Sequence, residues 1–287
     1  LNKKDLKFKI EELYNEIIDQ CDSHLIIGLD SVKSILGIDI NKINPRILYW
    51  YTEQLPNIKS KSKTEDKFDV IPEAISFFSL ETYLLKRNYT ESLKAVYHLS
   101  RVSEGRQVLE FLLEFSLKYT KDSYRPIWHI YRMQIFLNGK TMLRSLNRCV
   151  ELIVNSKKYI KLGDISSKQN LNWSEYLCLK IDDMSNLFLL YTIYNTELIR
   201  SHSLKKIILA RLYEIDLNKI DKINSINIRP NQTLLGRKWI LNFINNYNEL
   251  NFNVLELLNN ARGGLMLSGN SDETNYIWTQ LNKKICD

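Results

Sequence analysis

Turn-forming residues are scarce in this chain: nine Gly and five Pro are spread over 287 positions. An all-β fold needs such punctuation every ~8–12 residues, so this chain has to run long distances without reversing. Helices do that. Hydrophobic residues make up 44% and charged residues 25%, which supplies a substantial core and lies far from the composition of a disordered chain. The expected fold class is all-α, a multi-helix bundle or irregular stacked helical array of about ten or more helices with short loops.

Apolar spacing supports this along the chain. Leu6, Ile10, Leu13 and Ile17 recur at steps of three and four and share one helix face. Gly28 and Gly37 bracket a short second segment, and Asn44-Pro45 reads as a helix start. Pro72 opens an apolar helix through Phe77, Leu80 and Leu84, Thr90 reads as the N-cap of the next, and Ser103 precedes another. Further helices are expected over 126–137, 140–158, 173–200, 203–215, 233–248, 253–261 and 272–284. Gly139 closes the first of these, a polar loop covers 163–170, and Gly263-Gly264 and Gly269 mark the last loop. Residues 216–231 are polar and irregular, with Ile220, Ile223, Ile226 and Ile228 able to form an extended piece. The polar, mixed-charge stretch 56–70 is the best linker, separating an N-terminal helical section (1–55) from a main helical domain (71–287), unless the whole is one continuous domain.

The function classes that leave strong local signatures are not represented. The opening residues are charged and lack the apolar stretch of a secretory signal. No apolar run approaches the ~18 residues that cross a bilayer. Leu1 in place of Met reads as a processed chain or a piece of something larger. Cys21, Cys149, Cys178 and Cys286 never form a CxxC pair and read as reduced thiols, so a cytoplasmic setting is expected. His24, His98, His129 and His202 show none of the HExxH, ExxH or HxH spacings, and no metal is expected. Phosphate-cradling glycine patterns and the GxSxG nucleophile turn are absent, so no cofactor is expected. Asp182-Asp183 reads as a helix N-terminal or solvated pair.

Charge is the one uneven property. The chain carries a formal +7, yet residues 117–161 hold ten Lys and Arg against only Asp122 and Glu151. The excess therefore belongs to one helical hairpin that turns at Gly139. On its first helix Arg125, His129 and Arg132 follow at steps of four and three along a narrow polar strip. A helix so apolar elsewhere belongs inside the protein. On its second helix Lys140, Arg144 and Arg148 form another stripe. Folding back at Gly139 would bring the two stripes together.

Buried guanidinium groups need neutralising, and their planar fork suits phosphate and carboxylate. The sequence thus points to an interaction or ligand-binding protein that receives an anionic partner. That partner would be a phosphate or carboxylate ligand, an acidic protein surface or nucleic acid. The candidate binding residues are Arg101, Arg125, His129, Arg132, Arg144 and Arg148. An alternative is a helical enzyme with a buried Arg/His pocket, in which His98 or His129 transfers a proton. The third expectation is a scaffold in which Glu110, Glu114 or Asp182 pairs with the arginines internally.

Overall fold

The computed structural model describes residues 2–20, 22–39, 45–55, 75–157, 159–160, 162, 172–215, 220–224, 239–241, 243–244, 250–268 and 271–286. The linker at 56–70, the loop at 163–170, Asn44, Pro72, Gly269, Ile226, Ile228 and most of the helix expected at 233–248 lie outside them. Residues 239–241 and 243–244 are helical. Among the described residues the fold is all-helical, with no β-strand and only two isolated bridges. The helices are α1 (Lys3–Ile17), α2 (Ser23–Leu36), α3 (Arg46–Glu53), α4 (Phe77–Leu85), α5 (Tyr89–Val102), α6 (Gly105–Tyr119), α7 (Tyr124–Phe136), α8 (Met142–Val154), α9 (Trp173–Leu177), α10 (Met184–Asn195), α11 (Ser201–Tyr213), α12 (Phe252–Leu267) and α13 (Ser271–Cys286).

Asparagine and aspartate start six of these thirteen helices. The side chains of Asn2, Asp22, Asn88, Asn172, Asp183 and Asn251 each accept a hydrogen bond from a backbone N–H of the first turn, and Ser76 does the same for α4. Those N–H groups have no partner within the helix, so each cap is worth about 1 kcal/mol. The N-cap expected at Thr90 falls instead to Asn88, and Glu104 rather than Ser103 precedes α6.

α7 sits at the centre, packed against α2, α6, α8 and α10. Ile127, Trp128, His129, Ile130, Tyr131 and Met133 are all buried, as its nearly all-round apolar sequence requires. The turn into α8 takes Asn138 (φ 55°) and Gly139 (φ 73°) through left-handed backbone, and the Gly139 N–H closes onto the Gln134 carbonyl at 3.0 Å. α2 packs against α1, α3, α7 and α12, and α12 in turn packs against α10 and α13.

Two expectations fail for physical reasons. The helix expected over 173–200 is broken into α9 and α10, because Leu179 leaves the helix to form a bridge with Lys222. Lys180 N–H donates to the Asp221 carbonyl and Ile223 N–H to the Cys178 carbonyl, each at 2.8 Å. These contacts satisfy the backbone that a continued helix would otherwise occupy. Gly263 and Gly264 do not mark a loop. They lie inside α12, where a Cβ on Gly263 would stand 3.0 Å from Thr192 Oγ1 and one on Gly264 3.0 Å from Ile277 Cδ1. Their small size lets α12 approach α10 and α13 closely.

Gly28 plays the same part inside α2, since a Cβ there would fall 2.6 Å from the Phe252 ring and 3.1 Å from Tyr51. Gly28→Val is therefore expected to lower stability by about 1–3 kcal/mol through overpacking, read as a lower urea midpoint with an unchanged slope.

Candidate functional site

The polar strip of α7 faces two other helices. Arg125 Nη2 donates to both oxygens of Glu256 on α12 at 3.0 Å, while its Nη1 reaches Asp183 at 3.0 Å. One turn further, His129 Nδ1 lies 2.7 Å from Asp30 Oδ2 on α2, with both side chains at zero exposure. Arg132 donates to Ser34 Oγ at 2.7 Å and stands 3.5 Å from Asp30. Lys33 closes the group with an ion pair to the other Asp30 oxygen. Asn259 of α12 donates to Asp30 at 3.4 Å and to Ser31 at 3.3 Å. Three cationic or imidazole groups thus converge on one buried carboxylate, where α2, α7 and α12 meet.

The electrostatics follow from this crowding. Burial pushes the Asp30 carboxyl up, but Arg132, Lys33 and His129 outweigh it and hold the group well below the usual carboxylate range. Burial pulls the Lys33 ammonium down to about 8; Asp30 opposes that pull, and Arg132 and Arg262 add to it. At Arg125 burial disfavours the charge, yet Glu256 and Asp183 more than offset it and raise its pKa. His129 Nε2 is buried with no hydrogen-bond partner among the described residues.

The second stripe faces elsewhere. Lys140 meets Glu11 at 2.9 Å, and Arg144 donates to Asp19 at 2.7 Å and to the Asn15 carbonyl at 2.8 Å, all on or just after α1. Arg148, only 4% exposed, donates to Glu151 one turn along its own helix at 2.8 Å. The two stripes therefore diverge across the hairpin, because α7 turns its strip to α2 and α12 while α8 turns its own toward α1.

The carboxylates expected to neutralise these arginines serve other cations. Glu110 accepts from Arg106 at 3.1 Å, from Tyr131 at 3.0 Å and from the Arg200 backbone at 3.0 Å. Glu114 pairs with Arg200 and accepts from Ser203 at 2.6 Å. Asp183, not Asp182, reaches Arg125, and its other oxygen caps α10 through the Asn186 N–H at 3.1 Å. Arg211 was not singled out by the sequence. It donates from Nε to the Leu117 carbonyl at 2.6 Å and also to the Thr120 carbonyl, so α11 supplies a cationic C-cap to α6. Nothing local marks that role, which depends on two helices 90 residues apart meeting.

His98 and Arg101 sit on α5, apart from this seam. His98 packs edge-on against Tyr97 at 5.5 Å, and the exposed Arg101 lies 5.6 Å above the same ring. No described contact brings His98 to His129. Three clefts stand out, and none is lined by a histidine. Two of them touch the basic segment: one is lined by Arg125 with its partners Asp183 and Glu256, and the other measures about 690 Å³ and lies between the start of α7 and the end of α8. Lys121, Ser123, Arg148, Ser156 and Lys157 line it, together with Asp122, Glu151 and Ser23 from the start of α2. Among the described residues, neither the Lys121 nor the Lys157 ammonium makes an ion pair.

No protein-family model, curated protein or solved structure matches this chain. Among the described residues no group of three His, Cys, Asp or Glu is placed to hold a metal ion, and no helix is long and apolar enough to cross a membrane.

Removing Asp30 leaves Lys33 and Arg132 facing each other without their shared carboxylate, so Asp30→Ala is expected to cost about 3–5 kcal/mol in denaturant unfolding. The acid limb of stability carries a second signature. Because the folded Asp30 pKa is depressed, its contribution is complete above the unfolded value of about 4 and is lost as pH falls below it. Asp30→Asn should therefore unfold with a shallower pH dependence below about 4 than the parent chain, measured by circular dichroism across a pH series.

Proposed function

We propose that this protein binds a small anionic ligand, carrying a phosphate or carboxylate group, in the cleft between α7 and α8. One observation carries the reading. The four arginines of the basic hairpin each meet a carboxylate of the protein itself, whereas Lys121 and Lys157 face the same 690 Å³ cleft with no ion pair among the described residues. Among the described basic residues of the segment, these two lysines are the ones left for an outside partner. Arg148 stands at the cleft wall, held by Glu151, and the Ser123 hydroxyl at the lining already donates to the Leu152 carbonyl at 3.0 Å.

The size of the ligand follows from charge. Asp122 and Glu151 also line the cleft, so its net charge is small. A long polyanion needs a continuous run of unneutralised cations. The diverging stripes spend most of theirs on internal pairs, which favours one phosphate or carboxylate group over a nucleic-acid backbone.

Titration calorimetry with inorganic pyrophosphate, citrate and a short single-stranded oligonucleotide tests this. Pyrophosphate or citrate should bind, and Lys121→Glu combined with Lys157→Glu should weaken binding by about tenfold or more without changing the unfolding midpoint. Binding of the oligonucleotide alone, with a steep salt slope, or binding indifferent to the double substitution, would overturn the reading.

A further inference from the structure

A second cleft lies on the far side of α1 from its buried face, and it has the opposite character. It occupies about 740 Å³ between α1 and α3. Leu48 forms its floor at 3% exposure, and Phe8 and Tyr49 stand as walls at 64% and 61% exposure. Large apolar side chains left in water usually occur singly. Here two aromatic rings from different helices flank one groove, with Pro45 completing the apolar surface. Aromatic walls around a buried aliphatic floor are the features that carry binding energy at protein interfaces.

The charge around the groove says what kind of chain would fill it. Over residues 3–9 four lysines oppose the single carboxylate of Asp5. Lys3 and Lys4 are exposed and make no ion pair among the described residues. Lys9 lines the groove, and its contact with Glu12 at 3.3 Å is between two side chains that are both over two-fifths exposed. Such an exposed pair exchanges partners at little cost. Lys7 turns away, over the Phe136 ring at 5.7 Å. Asp5 also lines the groove and Glu12 holds Lys9, which leaves Lys3 and Lys4 as the surplus. An apolar groove with that surplus of ammonium groups at one rim complements a segment that pairs an apolar anchor with acidic flanks.

We infer that the α1/α3 groove is a docking site for an acidic peptide segment of another protein, which inserts an aromatic or aliphatic side chain between Phe8 and Tyr49 while its carboxylates meet Lys4 and Lys9. This site is separate from the α7/α8 cleft, and its occupation does not depend on that cleft binding an anion.

Selection of a random peptide library displayed on phage, against the full chain at low and then physiological salt, tests the inference. Enriched peptides should combine Asp or Glu with Trp, Phe or Leu. Synthesised individually, they should bind about tenfold or more weakly to Phe8→Ala and to Tyr49→Ala and lose affinity to Lys4→Glu. Both aromatic side chains are exposed, so unchanged circular dichroism and unfolding midpoints are expected for those variants. Three results would overturn the inference. One is enrichment of neutral or basic peptides, or of none. The second is binding unaffected by Phe8→Ala and Tyr49→Ala. The third is a parent chain whose groove is occupied otherwise, shown either by sedimentation as a dimer that Phe8→Ala dissociates or by Phe8-dependent flotation with phosphatidylserine vesicles.

Discussion

Asp30 is a fully enclosed carboxylate on a helix whose other buried residues are almost all apolar, and that placement sets terms for the elements around it. A lone charge in such a place would be expelled or protonated. It persists because α7 delivers His129 and Arg132, α2 itself delivers Lys33, and α12 delivers the Asn259 amide to the same spot. Each of those groups reaches Asp30 only with its helix at one rotation and one height. Apolar packing alone would let α7 slide against α2 with little change in buried area. The shared carboxylate removes that freedom, and the bidentate Arg125–Glu256 pair fixes α7 to α12 a turn away.

The basic hairpin consequently has two electrical roles. Arg125, Arg132 and Arg144 act inward, as cations that other elements need, Arg148 pairs along its own helix, and lysines lie at the ends of α7 and α8. Arginine suits the first role because a planar fork bonds several oxygens at once, as Arg144 does with Asn15 and Asp19. Lysine suits the second, where a mobile and well-hydrated charge meets solvent.

Local patterns in the sequence were enough for some of this and not for the rest. The helical class, the buried face of α1, the enclosure of α7 and its reversal at Gly139 all depend on residues within a few positions of one another, and all appear in the structure. The neutralisation of Arg125, His129, Arg132 and Arg144 was foreseen in kind, but its partners were not, since they lie 58–131 residues away along the chain. Gly263-Gly264 misled for a related reason. A glycine pair signals a loop when read locally, and only the approach of Thr192 and Ile277 explains it as a helix surface made flat. The break between α9 and α10 holds neither Gly nor Pro, and its one local mark is the helix N-terminal reading of Asp182-Asp183, of which Asp183 does cap α10. The α1/α3 groove escaped as well, because Phe8 and Tyr49 each look like ordinary helix residues until their helices are set side by side.

The helix starts and the central seam answer differently to their surroundings. Four of the side-chain caps are asparagine amides and one is a serine hydroxyl, groups that neither titrate nor attract counter-ions. The contacts among α2, α7 and α12 are ionic and depend on both. Acid therefore reaches the seam and the two aspartate caps, Asp22 of α2 and Asp183 of α10, while the other five side-chain caps keep their hydrogen bonds at any pH.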